Sequence, residues 1–301
     1  DSNPLKWGTV IDGVTVLSPE ETSWKPGNKM LISIISDPGS VAFELSKKNL
    51  VPGEDFFIAF PSGRLEEYAE RTVDYVSCLK QFDFKGRRIL EVGYGGQFYL
   101  ASLFVYMGAQ EVLLSDVVEY LPENFLECKG RIKKYVAYLL ETLPDLNARP
   151  HMDLLELQTD VVSRLKVHSG VCSAMALPFK DGELDGIYST AVMEHVDDPD
   201  LAIREFARVL KSGGLAMCLD IGVNDHRAND PSSGLTPWSY LEYSDKEWAA
   251  FTNNVYHQNR WLGVDYKRAL EKKGFATLHY DAKNDTSLTK NQFHQLDAKY
   301  Q

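Results

Sequence analysis

The residues richest in chemical content lie in the run Ile89-Leu90-Glu91-Val92-Gly93-Tyr94-Gly95-Gly96-Gln97, where an apolar strand leads straight into a glycine turn and then a helical pattern. Glycine lets a backbone approach a ligand with no Cβ between them. Dinucleotide-binding turns use the same device, with helix N-terminal amides holding a pyrophosphate. Glu91 argues for a different ligand, because a carboxylate at the end of the first strand repels a pyrophosphate and suits a cation bearing an amino group. Asp116, 21 residues beyond Gly95, stands where either nucleotide class places a carboxylate on ribose hydroxyls. Farther along, His195, Asp220 and His226 are groups able to take a proton from a reacting hydroxyl or amine.

A scaffold must bring these residues together. Short apolar runs at 88–92, 111–114, 165–172, 185–189 and 215–221 read as strands, separated by helical patterns at 98–107, 121–142, 153–162 and 199–210. Such alternation predicts a parallel sheet covered by helices on both faces. Two further strands, at 275–280 and, returning antiparallel, at 293–299, complete a doubly wound, mostly parallel α/β sheet of seven strands. Before them, Ser244 and Glu247 make an S-x-x-E capping box that starts a helix through about residue 253, and a second helix over 264–273 stops at Gly274. Residues 1–61 differ from the rest. A hairpin about Asp12-Gly13, a short helix from Asp37-Pro38 and the breaks at Pro52-Gly53 and Pro61 describe an N-terminal cap or arm. Residues 62–301 form the ligand-binding domain, which opens with an amphipathic helix from Ser62 to Gln81 and carries an inserted cap over 222–262 on the substrate side.

Two later stretches sharpen the reading. They are Ala174-Met175-Ala176-Leu177-Pro178-Phe179 followed by Asp181-Gly182, and Met193-Glu194-His195-Val196 continuing through Pro199, Glu205, Arg208-Val209-Leu210-Lys211 and Gly213-Gly214. With the E-x-G-x-G turn, they resemble the class I S-adenosylmethionine-dependent methyltransferases, in particular the broad type 11 group acting on small molecules. The resemblance covers about residues 86–280. It implies S-adenosylmethionine as the cofactor, with Glu91, Gly93, Tyr94 and Gly95 along its methionine part, and Asp116 and Val117 at the ribose. It also places Ser173 and Ala174 at the adenine and Thr190 in the segment closing the pocket near the methyl group. Two positions depart from the family pattern: Gln97 replaces the third glycine, and Ser173 replaces the usual Asp before A-x-A-L-P-F.

Methyl transfer from a sulfonium is an in-line displacement, so position and desolvation supply most of the rate. A base is useful when the acceptor must lose a proton. His195 is the first candidate, and Asp220 and His226 follow. Trp238, Tyr240, Tyr243, Trp248 and Trp261 form either an aromatic wall over an acceptor pocket or the core of the cap, with core the better reading for Trp248 and Trp261. Arg260 pairs either with a substrate anion or with loop carbonyls. Trp238, Tyr240 and Arg260 are therefore the substrate-side candidates. A metal site at Asp225 and His226, helped by His151 or Asp153, is the weaker alternative, and no metal is assigned.

Composition bounds the partners. The 301 residues carry 32 Lys plus Arg against 43 Asp plus Glu, a net charge of −11 with no dense basic cluster, which disfavours nucleic acid and leaves a small-molecule methyl acceptor as the partner. The four cysteines are too dispersed for a disulfide framework or structural zinc, and no apolar run is long enough to span a membrane, so a cytoplasmic protein is expected. The first residue is Asp, so removal of a leader stays open. The predicted function is methyl transfer to an oxygen or nitrogen of a small molecule. A catalytically silent binding module of the same fold and a nicotinamide-dependent oxidoreductase are the alternatives; the acceptor, the atom methylated and the oligomeric state are not encoded in these signals.

Overall fold

The computed structural model describes residues 82–95, 99–117, 163–167, 172–229, 231–251, 258–281 and 288–301, together with Tyr75, Leu79 and four short strands near the start of the chain. Of those four, β1 (Val10–Ile11) pairs antiparallel with β2 (Val14–Thr15), with Ile11 opposite Val14, which leaves two residues for the turn of the expected hairpin. Strands β3 (Met30–Ile32) and β4 (Phe56–Ile58) pair parallel, a contact between distant segments that local patterning does not announce.

The main sheet is built from β5 (Arg88–Val92), β6 (Glu111–Ser115), β7 (Leu165–Val167), β8 (Leu184–Thr190) and β9 (Leu210–Leu219). Its order is β7-β6-β5-β8-β9, and every pairing is parallel. Ile89 and Leu90 of β5 and Ile187 and Tyr188 of β8 are fully buried, as strands covered on both faces must be. Helix α1 (Tyr99–Tyr106) connects β5 to β6 and buries Leu100 through Val105. Its Phe104 ring stacks on Phe84 at 4.5 Å and meets Tyr188 edge-on at 4.9 Å. Helix α2 (Pro199–Val209) leads into β9; Asp198 caps it by accepting the Leu201 N–H at 3.0 Å, with Pro199 at the first helical position. Arg208 then ties this helix to the A-x-A-L-P-F segment, donating to the carbonyls of Phe179 at 2.7 Å and Leu177 at 2.9 Å, while Glu205 accepts the Leu177 N–H at 2.9 Å.

Chain order turns back on itself between β5 and β8. The crevice above the carboxyl ends of two such strands is where open α/β sheets bind ligands. Helices predicted over 121–142 and 153–162 and the short helix from Asp37-Pro38 lie outside the described residues, as do the cysteines Cys78 and Cys128. Of the helix predicted from Ser62, Tyr75 and Leu79 are described, and both are helical.

Past β9 the chain forms α3 (Asp245–Phe251) and α4 (Gly263–Lys272). Ser244 and Glu247 make the predicted box, with the Ser244 N–H on Glu247 Oε2 at 2.9 Å, and Gly274 ends α4 at φ +94°. Two expected strands are corrected. Residues 275–280 pair with nothing among the described residues and leave Leu278 72 % exposed, since their alternation has no partner edge to meet. Part of 293–299 is instead helical, in α5 (Lys290–Gln295), because Thr289 and Gln292 form a reciprocal capping box: the Gln292 N–H reaches Thr289 Oγ1 at 3.3 Å and the Thr289 N–H reaches Gln292 Oε1 at 2.9 Å. Among the described residues the sheet therefore has five strands, and no helix is long and apolar enough to cross a membrane.

Candidate active site

The glycine turn is fastened to its neighbour strand before any ligand arrives. Gly93 and Tyr94 donate their N–H groups to the Ser115 carbonyl at 2.8 and 3.2 Å, and Ser115 Oγ donates to the Glu91 carbonyl at 2.9 Å. Gly93 has φ +73°, and a Cβ there would lie 2.4 Å from Val192 Cγ2. Only glycine fits. Gly95, at φ +57°, donates its N–H to Asp116 Oδ2 at 3.0 Å, which brings the two ends of β5 and β6 to one point. The Cys172 N–H closes the row by donating to the Asp116 carbonyl at 2.7 Å, so the segment holding Ser173 and Ala174 follows directly beside it.

Glu91 is buried, and its Oε2 accepts the Tyr188 hydroxyl at 2.6 Å. Burial pushes its carboxyl up to about 8; the tyrosine bond opposes the rise and the nearby Asp116 charge adds to it. At neutral pH the ligand-free site is mostly protonated at Glu91 and would lose that proton to solvent as a cation binds. Tyr94 is itself in the core, Val117 is 40 % exposed beside Asp116, and Thr190 is half-buried at the end of β8. Ser173 Oγ accepts the Met175 N–H at 3.2 Å, a local turn bond.

Across the crevice, Met193–His195 forms a single 3-10 turn after β8. Asn259 clamps it: its N–H donates to the Glu194 carbonyl at 2.7 Å, and its Nδ2 donates to the carbonyls of Met193 and Val196 at 2.7 and 3.0 Å. Gln258 clamps the other side, donating from Nε2 to the carbonyls of Gly222 at 2.9 Å and Asn224 at 2.6 Å, and accepting the His226 N–H at 3.3 Å. The two imidazoles of His195 and His226 thus come to 5.0 Å between ring centres. Glu194 joins them; its Oε1 accepts the Gly222 N–H at 2.9 Å and its carboxyl is pushed up by burial against the opposing charge of His195. Sequence reasoning missed Glu194, Gln258 and Asn259; the acid directly before His195 was the available signal.

Other expectations change. Asp220 is exposed, at φ +48°, and its carboxylate accepts the Tyr75 hydroxyl, which binds the preceding helical segment to this edge. Tyr240 is fully buried with its hydroxyl on the Val223 carbonyl at 2.7 Å, in a second core cluster with Leu241, Trp248 and Leu296. The buried Arg260 guanidinium donates to the Tyr243 carbonyl and to Asp245. Both residues hold the 222–262 segment together and present no surface to an acceptor, because a buried aromatic hydroxyl or guanidinium needs the partners it already has. Trp238 is half-buried against the same cluster. The Asp225 carboxylate is taken up by Arg227 at 2.7 Å, and His151 and Asp153 lie outside the described residues, so the Asp225-centred metal set is replaced by the grouping about Glu194.

Residues 90–218, from β5 to β9, match the family model described as a methyltransferase domain. Over that stretch the chain is similar to methyltransferases. The match implies S-adenosylmethionine as the cofactor. Similarity to individual proteins is local. A demethylmenaquinone methyltransferase of Staphylococcus carnosus is 37% identical over 65 residues, 22% of this chain and 26% of that protein. The O-methyltransferase resE of Aspergillus sclerotiorum is 37% identical over 57 residues, 19% of this chain and 22% of its own length. The chain thus matches these curated relatives over only a minor part of their lengths. Among solved structures, an S-adenosylmethionine-dependent methyltransferase from Mesorhizobium loti aligns over 70% of this chain and 83% of its own at 17% identity, with a TM-score of 0.42.

Proposed function

We propose that this chain transfers the methyl group of S-adenosylmethionine to an oxygen or nitrogen of a small molecule bound beneath the 222–262 segment. One observation carries the reading: the tight turn at Gly93, with the Asp116 carboxylate on Gly95, follows β5, and a cluster of one carboxyl and two imidazoles includes the turn that follows the neighbouring strand β8. The residues at the turn fit the cofactor, since Gly93, with Val192 packed where a Cβ would stand, keeps the turn tight, and Glu91 offers a buried carboxyl to an ammonium group. The cofactor, when bound, supplies an electrophilic methyl group on a sulfonium.

In this reading Asp116 and Val117 hold the ribose, Gly93 to Gly95 lie along the methionine part through backbone, and Ser173 and Ala174 flank the adenine. Thr190 borders the methyl end. Tyr94 contributes backbone alone, its ring being buried. His195 and His226 take the proton of the acceptor, and Asp220 drops out because it is exposed and bonded to Tyr75. Calorimetric titration with S-adenosylhomocysteine tests the assignment, with micromolar binding expected for the natural chain. No binding at millimolar ligand would reduce the resemblance to fold and leave the silent-module alternative standing.

A further inference from the structure

Glu194, His195 and His226 each offer one ligand atom, and the three atoms lie within 4.8 Å of one another. Proton transfer to an acceptor needs one imidazole; it does not need a second, nor a buried acid beside them. Glu194 is 3 % exposed. One of its oxygens accepts the Gly222 N–H, while the other, Oε2, is enclosed and has no hydrogen-bond partner. An enclosed carboxylate oxygen with no donor is costly, and a cation is the group that removes the cost. Gly222 keeps the space open, since a Cβ there would fall 2.7 Å from His226 Nε2 and 2.8 Å from Glu194 Oε1.

We propose that Glu194, His195 and His226 bind a divalent first-row transition-metal ion, with its remaining positions open to a hydroxyl of the methyl acceptor. Two imidazoles and one carboxylate form a ligand set suited to zinc or iron, and three protein ligands are the number that leaves a site reactive. Metal bonds of about 2.1 Å require the ligand atoms to draw in to roughly 3.4 Å. Rotation of the two half-buried imidazoles would have to supply that movement. What the ion does rests on the methyl-transfer reading; that it binds does not. It would hold the acceptor hydroxyl and lower its pKa, so that the proton leaves to solvent. The freed oxygen pair then forms the bond to the methyl carbon, and the carbon–sulfur pair departs with sulfur as S-adenosylhomocysteine. The histidines then act through the ion, and the acceptor class narrows to hydroxyl compounds.

The test uses the full chain, stripped with a chelator and titrated with Zn²⁺ by calorimetry and with Co²⁺ by visible absorption. One ion per chain is expected, with affinity falling at least about a hundredfold in both Glu194→Gln and His226→Ala. Titrating the same variants with S-adenosylhomocysteine reports on the fold, and should Glu194→Gln not fold, His226→Ala decides alone. Absence of ion binding by the natural chain, or equal ion affinity in His226→Ala, overturns the site. Cofactor-product binding without ion binding removes the metal and keeps methyl transfer; ion binding without cofactor-product binding does the reverse.

Discussion

At the edge where β5, β6, β8 and β9 begin, acids meet cations. Arg88 pairs with Glu111 and Glu183, and the Asp185 carboxylate accepts Lys211 Nζ at 2.9 Å, the Arg88 N–H at 3.0 Å and Arg87 at 3.2 Å. At the opposite edge, Glu91 bonds a tyrosine hydroxyl, Asp116 a backbone amide, and Glu194 another amide with one oxygen left over. The same strands carry both sets. Burial raises the Asp185 carboxyl, but Lys211, the Arg88 amide and Arg87 together hold it below its ordinary value, whereas burial carries Glu91 upward. An edge whose charges are paired holds the sheet together, and one where a buried acid such as Glu91 meets a neutral hydroxyl is prepared to receive a cation.

The sharpest way to break this contrast uses two glycines with nearly equal dihedrals, Gly86 before β5 at φ +70° and Gly93 after it at φ +73°. Nothing lies within 4 Å of a Cβ at Gly86, whereas one at Gly93 strikes Val192. Gly86→Ala is expected to cost about 1 kcal/mol in urea unfolding and leave S-adenosylhomocysteine binding unchanged. Gly93→Ala should add about 1–3 kcal/mol of overpacking and weaken binding by more than about a hundredfold. Equal effects would erase the distinction.

Two aspartates give the next largest effect. Asp116→Ala should weaken cofactor-product binding about tenfold to a hundredfold, roughly 1.5–3 kcal/mol, as a charged hydrogen bond is lost. Asp185→Asn should instead lower unfolding stability by about 1–3 kcal/mol and spare the affinity. Its contribution is present above the unfolded carboxyl pKa and disappears as pH falls through the lower folded value.

Glu91 supplies a pH test with the opposite sign. A folded pKa near 8, above the unfolded value, means that the ligand-free fold loses stability as pH rises from about 4.5 to 8, because the native state binds the extra proton. Affinity for an ammonium-bearing ligand should meanwhile rise over the upper part of that range, by up to about tenfold per pH unit. Glu91→Gln should flatten both curves. Unfolding and calorimetric titrations at pH 6, 7 and 8 would separate them.

The smallest effect concerns backbone strain. Before β5, β6 and β8 the positive dihedrals fall on Gly86, Gly108 and Gly182, while after β8 and β9 they fall on Ala191 at +52° and Asp220 at +48°. Ala191→Gly should stabilise the chain by about 0.5–1 kcal/mol. A loss of stability would show that Ala191 is not strained.

The strands from β5 to β9, the glycine turn and the place of Asp116 at the end of β6 were legible because each signal is local: an apolar run, a glycine, a carboxylate at a strand end. The Ser244 box was read for the same reason. The Thr289 box is equally local, but the helix it opens, Lys290–Gln295, has only six residues, too few to show a helical period. Glu194 and His226 stand 32 residues apart and meet only because Gln258 and Asn259 return to hold both turns. That return is tertiary. Tyr240 and Arg260 were misplaced by the same limit, since residue type does not tell a ligand wall from a small second core.

Gln258 has a consequence of another kind. Its side-chain amide spans the carbonyls of Gly222 and Asn224, and its own carbonyl accepts the Trp248 indole N–H at 2.8 Å, so the excursion that leaves β9 is cinched shut at its neck. Closing a longer loop costs only about 0.6 kcal/mol per doubling of length. The stretch beyond His226 and short of Trp248 can therefore be lengthened or regrafted like a cassette, while the neck and the two imidazoles keep their register.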